Sequence, residues 1–282
     1  MTLRNWVEAG IRALNNFLNL IKMLIFLVLY LLSILELIIM TTAPDRKELI
    51  SRLQKDILQW EGYKAPPSGT RELVGLGPVE GAFPNGVFPL GTMHELVCGN
   101  TEQATACGGF ISGLLSVLMQ NGGASLWIGL SGNVFPQTLK VFGVDPDRVI
   151  FINLSKDKDV LWVMEEALKC AGLAAVIGEV QEIDFKQSRR LQLAVEQSRV
   201  TGFILRNWSK KMGSTACAAR WKIKPLPSET LDSLPGLGFP RWQIELLRVR
   251  NGQPGNWIME WSQGRFKPVS KPVIKHQELM VG

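Results

Sequence analysis

Between Met93 and Arg206 the sequence alternates strand-like with helix-like runs, and this alternation restricts the fold more than any other feature. Met93–Cys98, Ala124–Leu130, Val149–Ile152, Ala174–Ile177 and Gly202–Arg206 are short apolar runs of strand character. Thr101–Gln120, Asp157–Cys170 and Phe185–Ser198 carry apolar residues at helical spacing; in the first of them Phe110, Ile111, Leu114, Leu115 and Leu118 share one face. Strands separated by helices must run mostly parallel, with the helices covering both faces, so the fold class is α/β. After Asn207 the pattern changes. Ala216–Ile223, Gln243–Arg250 and Asn256–Trp261 read as strands with no helix between them, which predicts an antiparallel extension of the sheet.

The flanks divide the chain further. Residues 1–39 form a hydrophobic leader, with an uncharged apolar run from Met23 to Leu35 bounded by Lys22 and Glu36. Stretched over residues 17–40 it approaches the ~20 apolar residues of a spanning helix, which would give a membrane contact; a false start upstream of Met40 is the competing reading. Residues 40–62 predict an N-terminal helix, since Leu49, Ile50, Leu53, Ile57 and Leu58 recur at helical spacing. Residues 63–91 are rich in Gly and Pro and read as a linker, 92–267 as the main domain and 268–282 as a C-terminal tail.

Four scattered cysteines without a CxxC pair, and only two histidines, point to neither a metal site nor a disulfide framework, and suit a reducing, cytoplasmic setting. The net charge of +6 is unevenly spread: Lys186–Gly282 holds 17 Lys and Arg against 6 Asp and Glu, whereas Met1–Phe185 holds 14 against 19. The basic half suits a polyanion such as DNA, or an acidic partner. Its candidate contacts are Arg189 and Arg190 on one helix, Arg206 with Lys210 and Lys211 around Trp208, and Arg220, Arg241, Arg248 and Arg250 on the later strands. Each has a plainer reading as solvated helix surface or guarded sheet edge.

After the first strand comes Gly99-Asn100-Thr101-Glu102-Gln103-Ala104-Thr105-Ala106. Laid on the phosphate-binding pattern GxxxxGK[ST], Gly99 fits, but Ala104, Thr105 and Ala106 replace the second glycine, the lysine and the magnesium-binding hydroxyl. No Lys or Arg occurs between Arg71 and Lys140. The loop is a degenerate phosphate loop, and no catalytic residue, metal or cofactor is expected.

Phe83-Pro84-Asn85-Gly86-Val87-Phe88-Pro89-Leu90-Gly91 with Met93–Gly99, and Phe142-Gly143-Val144-Asp145-Pro146-Asp147-Arg148-Val149, resemble segments of RecA proteins. Ser131 then falls where the RecA family carries its catalytic glutamate, and Glu179 is an offset substitute for the Walker B aspartate. Ser188–Ala194, Leu205-Arg206, Ala219-Arg220-Trp221, Gly238–Trp242 and Leu246–Arg250 make the chain similar to the ImuA family of RecA-like accessory proteins. That resemblance implies a non-catalytic role in translesion synthesis during the SOS response to DNA damage. It also implies an ImuB-like Y-family protein and an error-prone polymerase as partners, with RecA and DNA as further candidates. Two other readings share the degenerate core: an ATP-dependent switch completed by a partner subunit, and a cell-division inhibitor of the SulA type.

Overall fold

The computed structural model describes residues 74–130, 135–207, 213–228 and 238–269, together with the single positions Leu27 and Leu53. The chain divides into two compact units, Met1–Ala65 and Pro66–Gly282. The leader (1–39), the N-terminal helix (40–62) and the tail beyond residue 269 lie outside the described residues except at Leu27 and Leu53, both exposed. Among the described residues no helix is long and apolar enough to cross a membrane.

The second unit is built on one nine-stranded sheet in the order β3-β2-β4-β5-β1-β6-β7-β8-β9. Its strands are β1 (Met93–Cys98), β2 (Ala124–Gly129), β3 (Val149–Asn153), β4 (Leu173–Val180), β5 (Thr201–Asn207), β6 (Ala219–Leu226), β7 (Arg241–Val249), β8 (Gly255–Ser262) and β9 (Arg265–Pro268). The pairs from β3 to β6 are parallel, and β6–β7, β7–β8 and β8–β9 are antiparallel. The α/β class with an antiparallel extension is therefore the observed architecture. β9 was not legible in the sequence, because four residues with two cations carry no apolar alternation.

Among the described residues three α-helices cover the sheet: α1 (Thr101–Leu118), α2 (Asp157–Leu168) and α3 (Phe185–Ser198). Leu96, Trp127, Ile177, Phe203 and Leu205 face Phe110, Ile111, Leu114 and Leu115 of α1. On the opposite face Leu126, Ile128, Val176 and Ile204 meet Val160 and Met164 of α2 and Leu191 and Val195 of α3. α3 starts on a reciprocal cap, in which Asp184 accepts from the Gln187 amide at 2.7 Å and Gln187 accepts from the Asp184 amide at 2.9 Å.

α1 lies close to the antiparallel strands because its glycines permit it. A Cβ at Gly113 would stand 2.6 Å from the Phe266 ring, and one at Gly109 3.1 Å from Phe142. Phe142, Trp242, Trp261 and Phe266 form an aromatic wall there, with ring centroids 4.9 to 6.2 Å apart.

The Gly- and Pro-rich stretch does more than connect. From Val74 onward Val74, Leu76, Val79, Ala82, Phe83 and Phe88 are buried in the α1-side core. The Ala82 carbonyl accepts from the Gln253 amide at 2.9 Å, which ties this segment to the turn between β7 and β8. Composition shows turns but not what the residues between them touch. β6 also runs past the expected end at Ile223 and includes Pro225. β1 pairs only with Ala219–Trp221, so Pro225 removes no hydrogen bond from that side.

Candidate functional site

In an open parallel sheet the crevice at the carboxyl ends of the strands is where ligands bind. Those ends carry the turn after β1, Glu179 of β4 and Asn207 of β5.

Only Gly99 and Asn100 separate β1 from α1, and Thr101 to Ala106 are already helical. The Asn100 side chain accepts from the Gln103 amide at 2.8 Å, and the Gln103 side chain accepts from the Gly99 amide at 3.0 Å. Two amides that a phosphate loop would aim at an anion are thus occupied by the chain's own oxygens. Thr105, at the lysine position of the pattern, turns its hydroxyl back onto the Thr101 carbonyl at 3.0 Å. Beneath the turn the buried thiols of Cys98 and Cys107 meet at 3.2 Å, and burial pushes the Cys107 thiol up, so it stays protonated.

Glu179 is only 4% exposed and accepts from the Trp127 indole at 2.8 Å. Burial raises its pKa, partly offset by this bond and by the Leu130 backbone amide. The offset Walker B position therefore anchors a core tryptophan. Ser131 lies outside the described residues. Among the described residues no group of three or more His, Cys, Asp or Glu side chains gathers to hold a metal ion.

Most of the expected surface cations have internal partners. Arg206 is 2% exposed and its guanidinium meets Glu95, itself fully buried, at 2.7 Å. The other Glu95 oxygen accepts from Arg220 Nε at 2.8 Å and from the Thr215 hydroxyl at 2.7 Å. Arg220 and Arg248 stand opposite each other in the β6–β7 register. Arg248 is exposed and Arg220 half-buried. Arg220 also donates to the Gly213 carbonyl, Arg248 to Thr215 O at 3.0 Å and Arg250 to Ala216 O at 2.9 Å, so the three clamp the segment leading into β6.

Arg241 bonds to Glu260 across β7 and β8 at 2.8 Å. Arg189 and Arg190 remain exposed on α3, paired with Glu196 at 3.4 Å and Glu165 at 2.6 Å. Lys210 and Lys211, like Trp208, lie outside the described residues.

Sequence reasoning missed Glu95 and His94, whose roles emerge only when distant strands meet. The signal was a charged and a titratable residue inside an otherwise apolar strand. His94 stacks on Phe88 at 4.5 Å and on Phe203 at 5.4 Å. Its Nε2 lies 2.9 Å from the Pro89 carbonyl, and its Nδ1 lies 3.3 Å from the Trp221 indole N–H. The carbonyl needs a donor and the indole an acceptor, so the ring is the neutral Nε2–H tautomer. Burial lowers its pKa to about 4.

These features define an open-sheet α/β protein whose first strand-to-helix turn is capped by its own side chains and whose central strand holds a buried ionic hub. Over 202 residues the chain is 33% identical to Protein ImuA of Caulobacter vibrioides, matched in two strains, and the match covers 67% of this chain and 83% of that protein. The chain belongs to the ImuA family. No family model matches it.

Proposed function

We propose that the chain is a non-catalytic accessory protein of bacterial mutagenic DNA repair, acting in translesion synthesis as a binding partner of an ImuB-like protein and, through it, of an error-prone polymerase. The observation that carries the non-catalytic reading is the closed Gly99–Asn100 turn, whose amides are held by Gln103 and Asn100. A triphosphate there would have to break both bonds, and no Lys or Arg lies between Arg71 and Lys140 to replace them. Membership of the ImuA family supports the repair role and the ImuB-like partner.

Protein contact is favoured over direct DNA binding because Arg206, Arg220 and Arg250 direct guanidinium donors at internal acceptors. Among the described residues Arg189 and Arg190 are an exposed helical pair that suits an acidic partner, and Arg248 is exposed as well.

Two measurements test the proposal. Calorimetry with ATP and magnesium should show no binding to the isolated chain; robust affinity would replace the accessory role with a nucleotide-dependent switch. Co-purification with the ImuB-like protein of the same genome should yield a complex. Binding instead to the division tubulin homologue would favour a cell-division inhibitor.

A further inference from the structure

The two edges of the sheet are built differently. β9 is four residues long, carries Arg265 and Lys267 and closes on Pro268. Short, cationic, proline-ended edges resist further strand pairing. β3, at the opposite edge, runs Val-Ile-Phe-Ile-Asn with neither charge nor proline. Among the described residues it pairs with β2 alone, and Ile150 is 52% exposed. One side of this strand therefore offers backbone donors and acceptors to another strand.

The charges flanking the edge say what fits it. Before β3 stand Asp145 and Asp147, both exposed. Arg148, between them and the strand, is turned inward and donates to Met119 O at 2.8 Å and Gly123 O at 2.6 Å. After β3 stand Lys156 and Lys158, also exposed. Asp157 between them accepts from the backbone amides of Gln181 and Glu182, while Asp159 lies further along the first turn of α2. The exposed charge nearest the start of the strand is therefore acidic, Asp147, and the one nearest its end is basic, Lys156, with Asp159 also exposed further on.

An antiparallel copy of the same strand reverses this polarity and brings opposite charges together at both ends. A parallel copy would set Asp against Asp and Lys against Lys. We infer that β3 is a self-association edge, on which a second copy of this chain pairs antiparallel through its own β3 about a two-fold axis. Centred on Phe151, the register sets that ring against its own counterpart and Ile150 against Ile152 of the second copy. The end of β3 that leads to Lys156 then lies beside the start that follows Asp147 in the other copy. The exposed face of Ile150 is covered, and the two sheets become continuous.

Sedimentation velocity on the full chain over a range of concentrations tests this. The chain should dimerise, and Ile150→Lys should weaken the dimer at least about tenfold, since it sets a cation in the apolar centre of the pairing. Asp147→Lys and Lys156→Asp should each weaken it, and the two together should restore it. All three positions are exposed, so circular dichroism should be unchanged; were Ile150→Lys to misfold, the charge exchange still decides. A chain that stays monomeric at its highest soluble concentration overturns the inference, as does a dimer insensitive to Ile150→Lys or a double exchange that fails to recover. A foreign strand that binds this edge on a monomeric chain overturns it too.

Discussion

Arg206 of β5 reaches across to Glu95 of neighbouring β1 at 2.7 Å, and both side chains are withdrawn from water. Burying a carboxylate between two strands is tolerable only while Arg206, Arg220 and Thr215 supply donors to its oxygens. Glu95→Gln, which leaves two guanidinium groups without their countercharge, should destabilise the domain by about 3–5 kcal/mol in denaturant unfolding. A loss below about 1 kcal/mol would mean that the hub is solvated.

His94 sets a pH dependence. Its pKa is lowered to about 4 in the folded chain, from 6.5 for an ordinary histidine, so between those values the unfolded chain binds the additional proton. The stabilisation is fully present above about pH 6.5 and is lost as pH falls toward 4, by roughly 3 kcal/mol in total. His94→Gln should remove the pH slope between about 6.5 and 5, where few carboxylates titrate, and chemical denaturation at several pH values reads it directly.

Glu179 behaves in the opposite sense, because burial raises its pKa. Its neutral form suits the folded state, so Glu179→Gln should leave melting unchanged or raise it while still accepting from Trp127. Glu179→Leu orphans the indole N–H and should cost about 1–3 kcal/mol. Loss of biological activity in Glu179→Gln with stability intact would instead indicate a nucleotide-linked role for the carboxylate.

Gly113 marks how closely α1 lies on β8 and β9, since an added Cβ would stand 2.6 Å from the Phe266 ring and 3.1 Å from Trp261. Gly113→Leu should therefore destabilise by about 1–3 kcal/mol or more, despite the better helix propensity of leucine. Near-ultraviolet circular dichroism, which reports the packing of these aromatic rings, should change with it.

The strands and helices of the parallel half were legible because their signals are local. β1 begins and ends where its apolar run does, and α3 spans Phe185–Ser198 as expected. The strands of the antiparallel extension were found with shifted ends, while β9 was too short and charged to stand out. The site was read less well, for a physical reason. An arginine in a sequence declares a charge but not its counterpart, and the carboxylate that meets Arg206 is 111 residues away. The empty positions of the phosphate pattern could be read from single residues, whereas the closure of its turn by Gln103 needed the geometry.

The position of β1 in the middle of the sheet bears on how the chain is made. Glu95 leaves the ribosome 111 residues ahead of Arg206 and 125 ahead of Arg220, the two groups that neutralise it. Until those residues emerge, an apolar strand with an unmatched carboxylate has neither lateral neighbour. Such long-range closure slows folding and exposes intermediates to aggregation, so synthesis of the last third commits the earlier strands to their final arrangement.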